Sequence, residues 1–431
     1  MIDLKDLRDR PDVYRRGAEL KKVAIDIDSI LALDRRRRDA QAEFERLRAE
    51  QNRDSGAIGK IEEPVARKTA VARMGELKAR VKQADARARE CEAELQPLLL
   101  AIPQPPDDDV PIGAGPADNV VLRVEGVPRA FDFEPLSHIQ LAAKHRLVDI
   151  ERGVRLAGSR SYFLVGAGAL MHHAVLQMAM DMMTREKGFT PLTVPVLVRE
   201  EAMVGTGFFP AGREQAYQVD PGPDERFLTG TAEVGLTAFH KGELLDEKEL
   251  PIKYTAISTC FRREAGTYGK DTAGLYRVHQ FDKCEQVVIC RNDVQESRRW
   301  NMEMLGYSEE LLRRLELPYR VIDCCTGDIG TKNAAQMDIE TWMPSRADAG
   351  EGSGYGETHS ASRLYDFQAR RLDLRYRDAG GTVRFCHTLN NTVVAMPRIL
   401  IPLWENHQNA DGSITVPAAL RPYMHGMERI A

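Results

Sequence analysis

Arginines and carboxylates recur at three places in the second half of the chain. CFRREAGTYGKDTAGLYRVHQFDKCE, residues 260–285, reads as a strand, a charged glycine-containing loop and a second strand, with Arg262, Glu264, Arg277 and Glu285 at its ends. Side chains two apart on a strand share a face, so Arg262 and Glu264 are expected to project into one cleft. RFCHTLNNTVVAMPRILIPLWENHQ is expected to end a strand at Asn390 and open a helix whose early turn carries Arg398. GYGETHSASRLYDFQARR places Glu357 and Ser360 ahead of a further strand. Taken singly, each of these charges reads as an ordinary surface ion pair. Together they point to a site. Neither GxxxxGK[ST] nor GxGxxG occurs, so a nucleotide would have to bind without a P-loop or a dinucleotide-binding turn.

The elements that must hold these residues begin near residue 118. A strongly apolar helical stretch, GALMHHAVLQMAMDMMTREKGF from Gly168, leads into the β-rich run TPLTVPVLVR. KYTAISTCFR, LYRVHQFDKCEQVVIC, YRVIDCCTG, MDIETWMP, FQARRLDLRYRD and VRFCHTL are further strand candidates. Their irregular spacing lacks the βαβ alternation of a doubly wound parallel sheet, so a large antiparallel sheet flanked by helices is expected.

The first hundred residues differ in kind. The chain of 431 residues has a net charge of −5, yet the stretch from Arg35 to Arg89 carries +7, leaving −12 for the rest. Such a division is the footprint of a local nucleic-acid contact. In the same stretch Leu33, Arg37, Ala40, Phe44 and Leu47 form one heptad seam. Met74, Leu77, Val81, Ala84, Ala88, Cys91, Leu95 and Leu98 form a second. Between them SGAIGKIEEP offers Gly56 and Gly59 for a reversal and Pro64 for the first turn of a new helix. Two helices of about 25 to 30 residues should fold back into a rod about 40 to 45 Å long that ends at Pro97. A dimerisation coiled coil with a solvated surface and an RNA-binding arm both fit this pattern. Short amphipathic helices are expected in residues 1–30, and the Pro-, Gly- and Asp-rich segment 102–117 reads as a linker. The expected domains are therefore 1–101, with the arm over about 30–100, and 118–431.

Composition bounds the class. The chain is 43% apolar and 29% charged, enough for a sizeable core, and has no apolar run near the roughly 18 residues that span a bilayer. Its charged start lacks a secretory pattern, so a cytoplasmic location is expected. The seven cysteines form no CxxC, HExxH is absent, and reduced thiols without a zinc site are expected.

On these motifs the chain resembles the bacterial-type seryl-tRNA synthetases over essentially its whole length. The likeness begins at MIDLKDLRDRPD and the helical arm. It continues through GSRSYFLVGAGALMHHAV, TPLTVPVLVREEAMVGTGFFP and TGTAEV to HTLNNTVVAMPR and VPAALRPYM, and FRREAGTYGKDTAGLYRVHQFDKCE is highly specific by itself. The resemblance implies an α+β fold: an N-terminal antiparallel two-helix coiled-coil arm plus a class II synthetase catalytic domain, an antiparallel β-sheet with flanking helices. It implies a homodimer joined through the helix from Gly168. It also implies that serine is activated by ATP to seryl-adenylate and passed to the terminal adenosine of tRNA(Ser), with tRNA(Sec) as a second candidate acceptor.

The same resemblance assigns roles. Arg262 and Arg398 are the catalytic cations. Arg262 would hold the α-phosphate and the amino-acid carboxylate, and Arg398 would cover the adenine and reach the γ-phosphate with Arg277. Glu264 would accept from the adenine amino group and Phe281 would stack on the ring, with Val278, Thr358 and His359 also in the ATP site. Glu357 and Ser360 match the Mg2+ positions, oxygen donors that suit a hard cation. Thr231, Glu233, Arg262, Glu285, Asn390 and Thr392 match the serine site. Arg35, Arg36, Arg37, Arg38 and Arg46 are candidates for contacts to tRNA outside the anticodon. Three departures stand out: NNTVVAMPR replaces the glycine-rich form common in the family, Gly235 stands where TAEVP is more usual, and Pro64 falls at the start of the family's second arm helix, where an offset or kinked arm tip is expected. A paralogue that delivers serine to a non-tRNA acceptor and a catalytically silent RNA-binding adaptor are the competing readings.

Overall fold

Helix α3, Ile27–Ile58, and helix α4, Pro64–Ala101, run longer than the heptad seams suggest, at 32 and 38 residues. They follow two short helices, α1 (Leu4–Asp9) and α2 (Pro11–Leu20). In this computed structural model the described residues are 1–59, 61–220, 222, 225–266, 274–347 and 354–431. They divide into two compact units, Met1–Pro103 and Gln104–Ala431.

Within the first unit α3 and α4 are antiparallel: Glu43 pairs with Arg87 at 2.6 Å and Arg37 with Glu92 at 3.4 Å, so contacts rise along one helix as they fall along the other. Leu47, Leu77 and Ala84 form a buried seam with Phe44, Met74 and Val81 packed beside it. The side chain of Asp26 caps α3 by accepting from the backbone N–H of Asp28 and Ser29, and Glu63 does the same for Val65 and Ala66 ahead of Pro64. Gly56 lies inside α3 rather than in the reversal, and Lys60 of the expected turn lies outside the described residues.

The rod does not end at Pro97, which sits inside the last turns of α4. The seam also shifts there: Leu99 is 1% exposed whereas Leu98, the expected seam residue, is 39% exposed. A helix of 3.6 residues per turn drifts against a strict seven-residue repeat, and after Leu95 the buried position moves to the i+4 residue.

Arg37 is no mere interruption of the seam. It joins Arg8 and Arg38 around Asp34, whose carboxylate is fully buried and takes a hydrogen bond of 3.1 Å from each of the three. Burial raises the Asp34 carboxyl, and Arg37 and Arg8 outweigh it and hold the group below the usual carboxylate range.

The second unit is built on an eight-stranded sheet. Its strands in chain order are β1 (Val120–Glu125), β2 (Thr190–Pro191), β3 (Ile252–Phe261), β4 (Gln280–Cys290), β5 (Tyr319–Asp323), β6 (Ala335–Trp342), β7 (Tyr355–Tyr365) and β8 (His387–Ala395). Their spatial order is β1-β5-β6-β7-β8-β4-β3-β2, antiparallel throughout except where β2 lies parallel to β3. The expected antiparallel sheet with flanking helices is thus present. Helices Ala167–Asp181, Val294–Arg314 and Leu400–Asn406 carry the main core with the sheet. Polar groups fix helix to sheet: Gln286 and Asn391 donate to the Met304 carbonyl at 3.0 and 2.7 Å, and Ser308 donates to the Thr392 carbonyl at 2.8 Å.

Two expectations change here. FQARRLDLRYRD is a helix, Phe367–Leu372, followed by a three-residue strand, Arg375–Arg377; its first six residues include no β-branched side chain and several good helix formers. The linker-like segment is docked from Gln104 onward. Gln104 and Asp107 donate to the carbonyls of Thr331 and Ala334 at 2.9 Å, and the Asp107 carboxylate accepts from Tyr365 at 2.7 Å and from Arg363.

Two outcomes follow for full-length protein followed by circular dichroism during denaturation. Leu99→Ala should cost about 2–5 kcal/mol, as for a buried leucine, and Leu98→Ala less than about 1 kcal/mol. The stabilisation from Asp34 is complete above the unfolded aspartate value of about 3.9 and is lost as pH falls through the lower folded value. The stability gap between wild type and Asp34→Asn should therefore be largest near neutral pH and close in acid.

Candidate active site

The cleft is floored by β4, β8 and β7. On β4, Phe281, Lys283 and Glu285 alternate onto the cleft face, while Cys284 and Val288 enter the main core. β8 places Asn390 and Thr392 on the same floor, with Thr392 opposite Glu285 in the ladder. Its register shifts beyond that pair, so that Val393 and Val394 both enter the core and Ala395 returns to the cleft opposite Lys283. The strand therefore continues five residues past Asn390, where it was expected to end, because Thr392, Val393 and Val394 are β-branched and extended.

A second bulge positions Glu357 and Ser360. They lie inside β7, not ahead of a strand. Residues three apart on a regular strand face opposite sides, but Ile339 pairs with His359 and the adjacent Glu340 with Glu357, leaving Thr358 as the extra residue. Thr358 hydrogen-bonds through its hydroxyl to Thr341 at 2.7 Å and to His359 Nδ1 at 2.8 Å. Glu357 and Ser360 both line the cleft. Beside them Asp338, paired with Ser360 in the ladder, is pushed up to about 7, by burial first and by Glu357 second. Burial pushes His359 down to about 3, so its imidazole is neutral at physiological pH.

The cations come from the rim. Strand β3 stops at Phe261, so Arg262 and Glu264 do not share a strand face as expected. Both line the cleft all the same, because the chain turns and Glu264 takes a left-handed φ of 51°. Arg262 lies over the Phe281 ring at 5.1 Å from its centroid and donates to the Gly230 carbonyl at 3.4 Å. A side chain at Gly230 would meet Arg262 Cγ at 3.3 Å, so glycine makes that approach possible. Arg277 pairs with Glu264 at 3.4 Å. Arg398 sits in the turn before helix Leu400–Asn406 rather than in it, donates to the carbonyls of Tyr276 and Glu357 at 3.0 Å each, and covers the Tyr276 ring at 4.5 Å. The central part of the charged loop, residues 267–273, lies outside the described residues.

Thr231, Glu233, Arg262, Glu285, Asn390 and Thr392 line this one cleft together with Glu264, Val278, Thr358, His359 and Arg398. Glu233 is buried at the start of helix Glu233–Ala238. The Gly235 departure has a packing reason: a Cβ there would stand 2.7 Å from Val194 Cβ. Each buried carboxylate has a lysine that the motifs did not single out. Lys283 pairs with Glu285 and Lys332 with Glu233. Gln368 also donates to Glu233, at 2.7 Å. Lys283 was legible as a same-face neighbour two residues from Glu285; Lys332 and Gln368 reach the site only through the tertiary fold. Burial raises the Glu285 carboxyl against the pull of Lys283. Among the described residues no group of three or more His, Cys, Asp or Glu side chains could hold a metal. The seven cysteines are free and buried.

Arg35, Arg36, Arg37, Arg38 and Arg46 belong to α3 in the first unit and not to this cleft. Arg35 and Arg36 are exposed, Arg37 and Arg38 are engaged with Asp34, and Arg46 lies 4.0 Å from Glu50.

An antiparallel sheet whose floor carries carboxylates beneath rim arginines defines a class II aminoacyl-tRNA synthetase core. The family described as tRNA synthetase class II core domain (G, H, P, S and T) matches residues 217–407, and the Seryl-tRNA synthetase N-terminal domain matches residues 1–106. A serine–tRNA ligase of Deinococcus radiodurans is 45% identical over 99% of this chain and 98% of its own. One of Thermobifida fusca is 41% identical over 98% and 97%. The crystal structure of the Pyrococcus horikoshii seryl-tRNA synthetase complexed with ATP superposes with a TM-score of 0.90 at 34% identity, covering 100% of this chain and 99% of that one. The chain belongs to the seryl-tRNA synthetase family.

Proposed function

We propose that the protein is a serine–tRNA ligase that condenses L-serine with ATP to seryl-adenylate, releasing pyrophosphate, and transfers the seryl group to the 3'-terminal adenosine of tRNA(Ser). One observation carries the reading: a single cleft combines two buried carboxylates, Glu233 and Glu285, with the rim cations Arg262, Arg277 and Arg398. The carboxylates suit the ammonium and hydroxyl of serine, which is too small to be selected by buried area. Alanine would leave such acceptors unpaired.

In this reading Arg262 binds the serine carboxylate and an α-phosphate oxygen, bringing nucleophile and phosphorus together and opposing the charge that develops there. The serine carboxylate oxygen bonds to the α-phosphorus as the bond to the pyrophosphate oxygen breaks. Glu264 accepts from the adenine amino group, Phe281 and Arg398 enclose the ring with Val278, Thr358 and His359 around it, and Arg277 and Arg398 meet the outer phosphates. Thr231, Asn390 and Thr392 complete the serine site. Glu357 and Ser360 are hard oxygen donors that fit Mg2+ and would hold it against the phosphates, where the ion neutralises negative charge. A ribose hydroxyl of the tRNA then attacks the acyl carbon and AMP leaves.

The exposed Arg35 and Arg36, with Arg46 and the wider basic surface of the rod, suit the phosphates of tRNA. We extend the proposal to a homodimer: helix Ala167–Asp181, to which the resemblance assigns the interface, buries most of its apolar side chains in the main core, whereas edge strand β1 exposes Val120, Val121, Leu122 and Val124. It extends further to tRNA(Sec) as a second acceptor and to a cytoplasmic location; no helix among the described residues is long and apolar enough to cross a membrane.

Serine-dependent exchange of pyrophosphate into ATP, followed by charging of purified tRNA(Ser), tests the reading. Absence of exchange would leave the RNA-binding adaptor, and exchange without charging would favour a non-tRNA acceptor. Arg262→Ala should slow exchange by about 10²- to 10³-fold; an unchanged rate would remove the role given to it. Arg35→Gln with Arg36→Gln should weaken charging and flatten its salt dependence by about one to two counterions while exchange stays at the wild-type rate.

A further inference from the structure

We infer that Lys332 is a positioning residue for the amino-acid substrate: its ammonium fixes the Glu233 carboxylate so that one oxygen remains to receive the ammonium of serine. The inference rests on the proposed serine-activating function and adds a residue that none of the motifs contains.

Lys332 lies just ahead of β6, in the segment that follows β5, and its side chain is only 14% exposed. Three neighbours hold it. Its ammonium pairs with Glu233 Oε1, lies 3.8 Å from the centroid of the Phe208 ring, and its stem runs so close to Gly207 that a Cβ there would come within 3.2 Å of Lys332 Cβ. A lysine is rarely buried without a fixed partner, because its strongly hydrated charge loses water on entry. Burial lowers the Lys332 pKa while Glu233 pulls it back up.

The geometry at Glu233 gives the function. Gln368 donates to the same Oε1, at 2.7 Å, and Gln368 is itself fixed by Thr388, which donates to its Oε1 at 2.7 Å. Two donors thus converge on one carboxylate oxygen, and among the described residues no donor is assigned to Oε2. A third donor in the form of a substrate ammonium would take that oxygen. The charge balance points the same way. Glu233 and Glu285 repel each other across the pocket, and two nearby carboxylates in a water-poor site do not both stay ionised without compensating cations. Lys332 and Lys283 supply one each. Lys332 holds Glu233 by Oε1 and leaves Oε2 to the substrate ammonium, and it has no part in ATP recognition.

The test is steady-state pyrophosphate exchange by the full-length protein, with serine and ATP varied separately. Lys332→Met keeps the stem and removes the charge. It should raise the KM for serine by about 10- to 100-fold and leave the KM for ATP within about twofold, and Lys332→Arg should recover most of the loss. Phe208→Leu, which leaves the lysine in place but removes the ring beneath it, should raise the serine KM by about 3- to 10-fold and keeps the inference testable should Lys332→Met not fold. An unchanged or lower serine KM in the folded variants, or equal rises for serine and ATP, would overturn it. No exchange by the wild type would overturn the functional reading and this inference with it, whereas wild-type exchange with unaltered serine KM in the variants would overturn the inference alone.

Discussion

A carboxylate on the floor of a central β-strand is the constraint around which the second unit is organised. Glu285 stands in β4 between β8 and β3, 1% exposed, where an unpaired charge would cost several kcal/mol. The structure supplies Lys283 on the same face, and answers Glu233 in the same way with Lys332 and Gln368. These groups come from a strand, the loop before β6 and two helices, so the pocket exists only when all of them are assembled. Retaining so many buried charges is a poor way to stabilise a sheet. It is a good way to recognise a small zwitterion, because fixed charges in a water-poor pocket act at short range and in one geometry.

The rim is arranged by departures from regular strand geometry. Strict alternation would send Glu357 and Ser360 to opposite faces, and the bulge at Thr358 brings them together. The shift in β8 turns two successive valines into the core and returns Ala395 to the cleft. Glu264 enters the site through a left-handed backbone, held where Arg160 donates to its carbonyl at 3.1 Å and Arg277 meets its carboxylate. Each device costs some local regularity and gains a convergence of side chains that ideal strands cannot reach.

In the first unit four consecutive arginines have two different fates. Helical geometry turns Arg37 and Arg38 back toward buried Asp34, one turn before them, and leaves Arg35 and Arg36 facing water. Arg8 closes the cluster from α1. A run of like charge therefore combines a structural anchor with a surface available to a polyanion.

The amino-acid sequence by itself determined what depends on local order. The apolar periodicity of the arm, the antiparallel strand set, and the combination of Arg262, Glu264, Arg277, Glu285, Glu357 and Arg398 were legible because each is carried by adjacent residues. It also carried the likeness to the seryl-tRNA synthetases. Where local patterns misled, the reason is physical: a seven-residue repeat placed Leu98 in a seam that a 3.6-residue helix gives to Leu99, and FQARRL reads as strand only if its helix propensity is ignored. Tertiary structure alone decided which face Glu357 and Ser360 occupy, since a bulge resets alternation there, and that Lys332 neutralises Glu233. Lys332 and Glu233 are almost a hundred residues apart in the chain, and an electrostatic pairing at that separation leaves no period or spacing in the sequence.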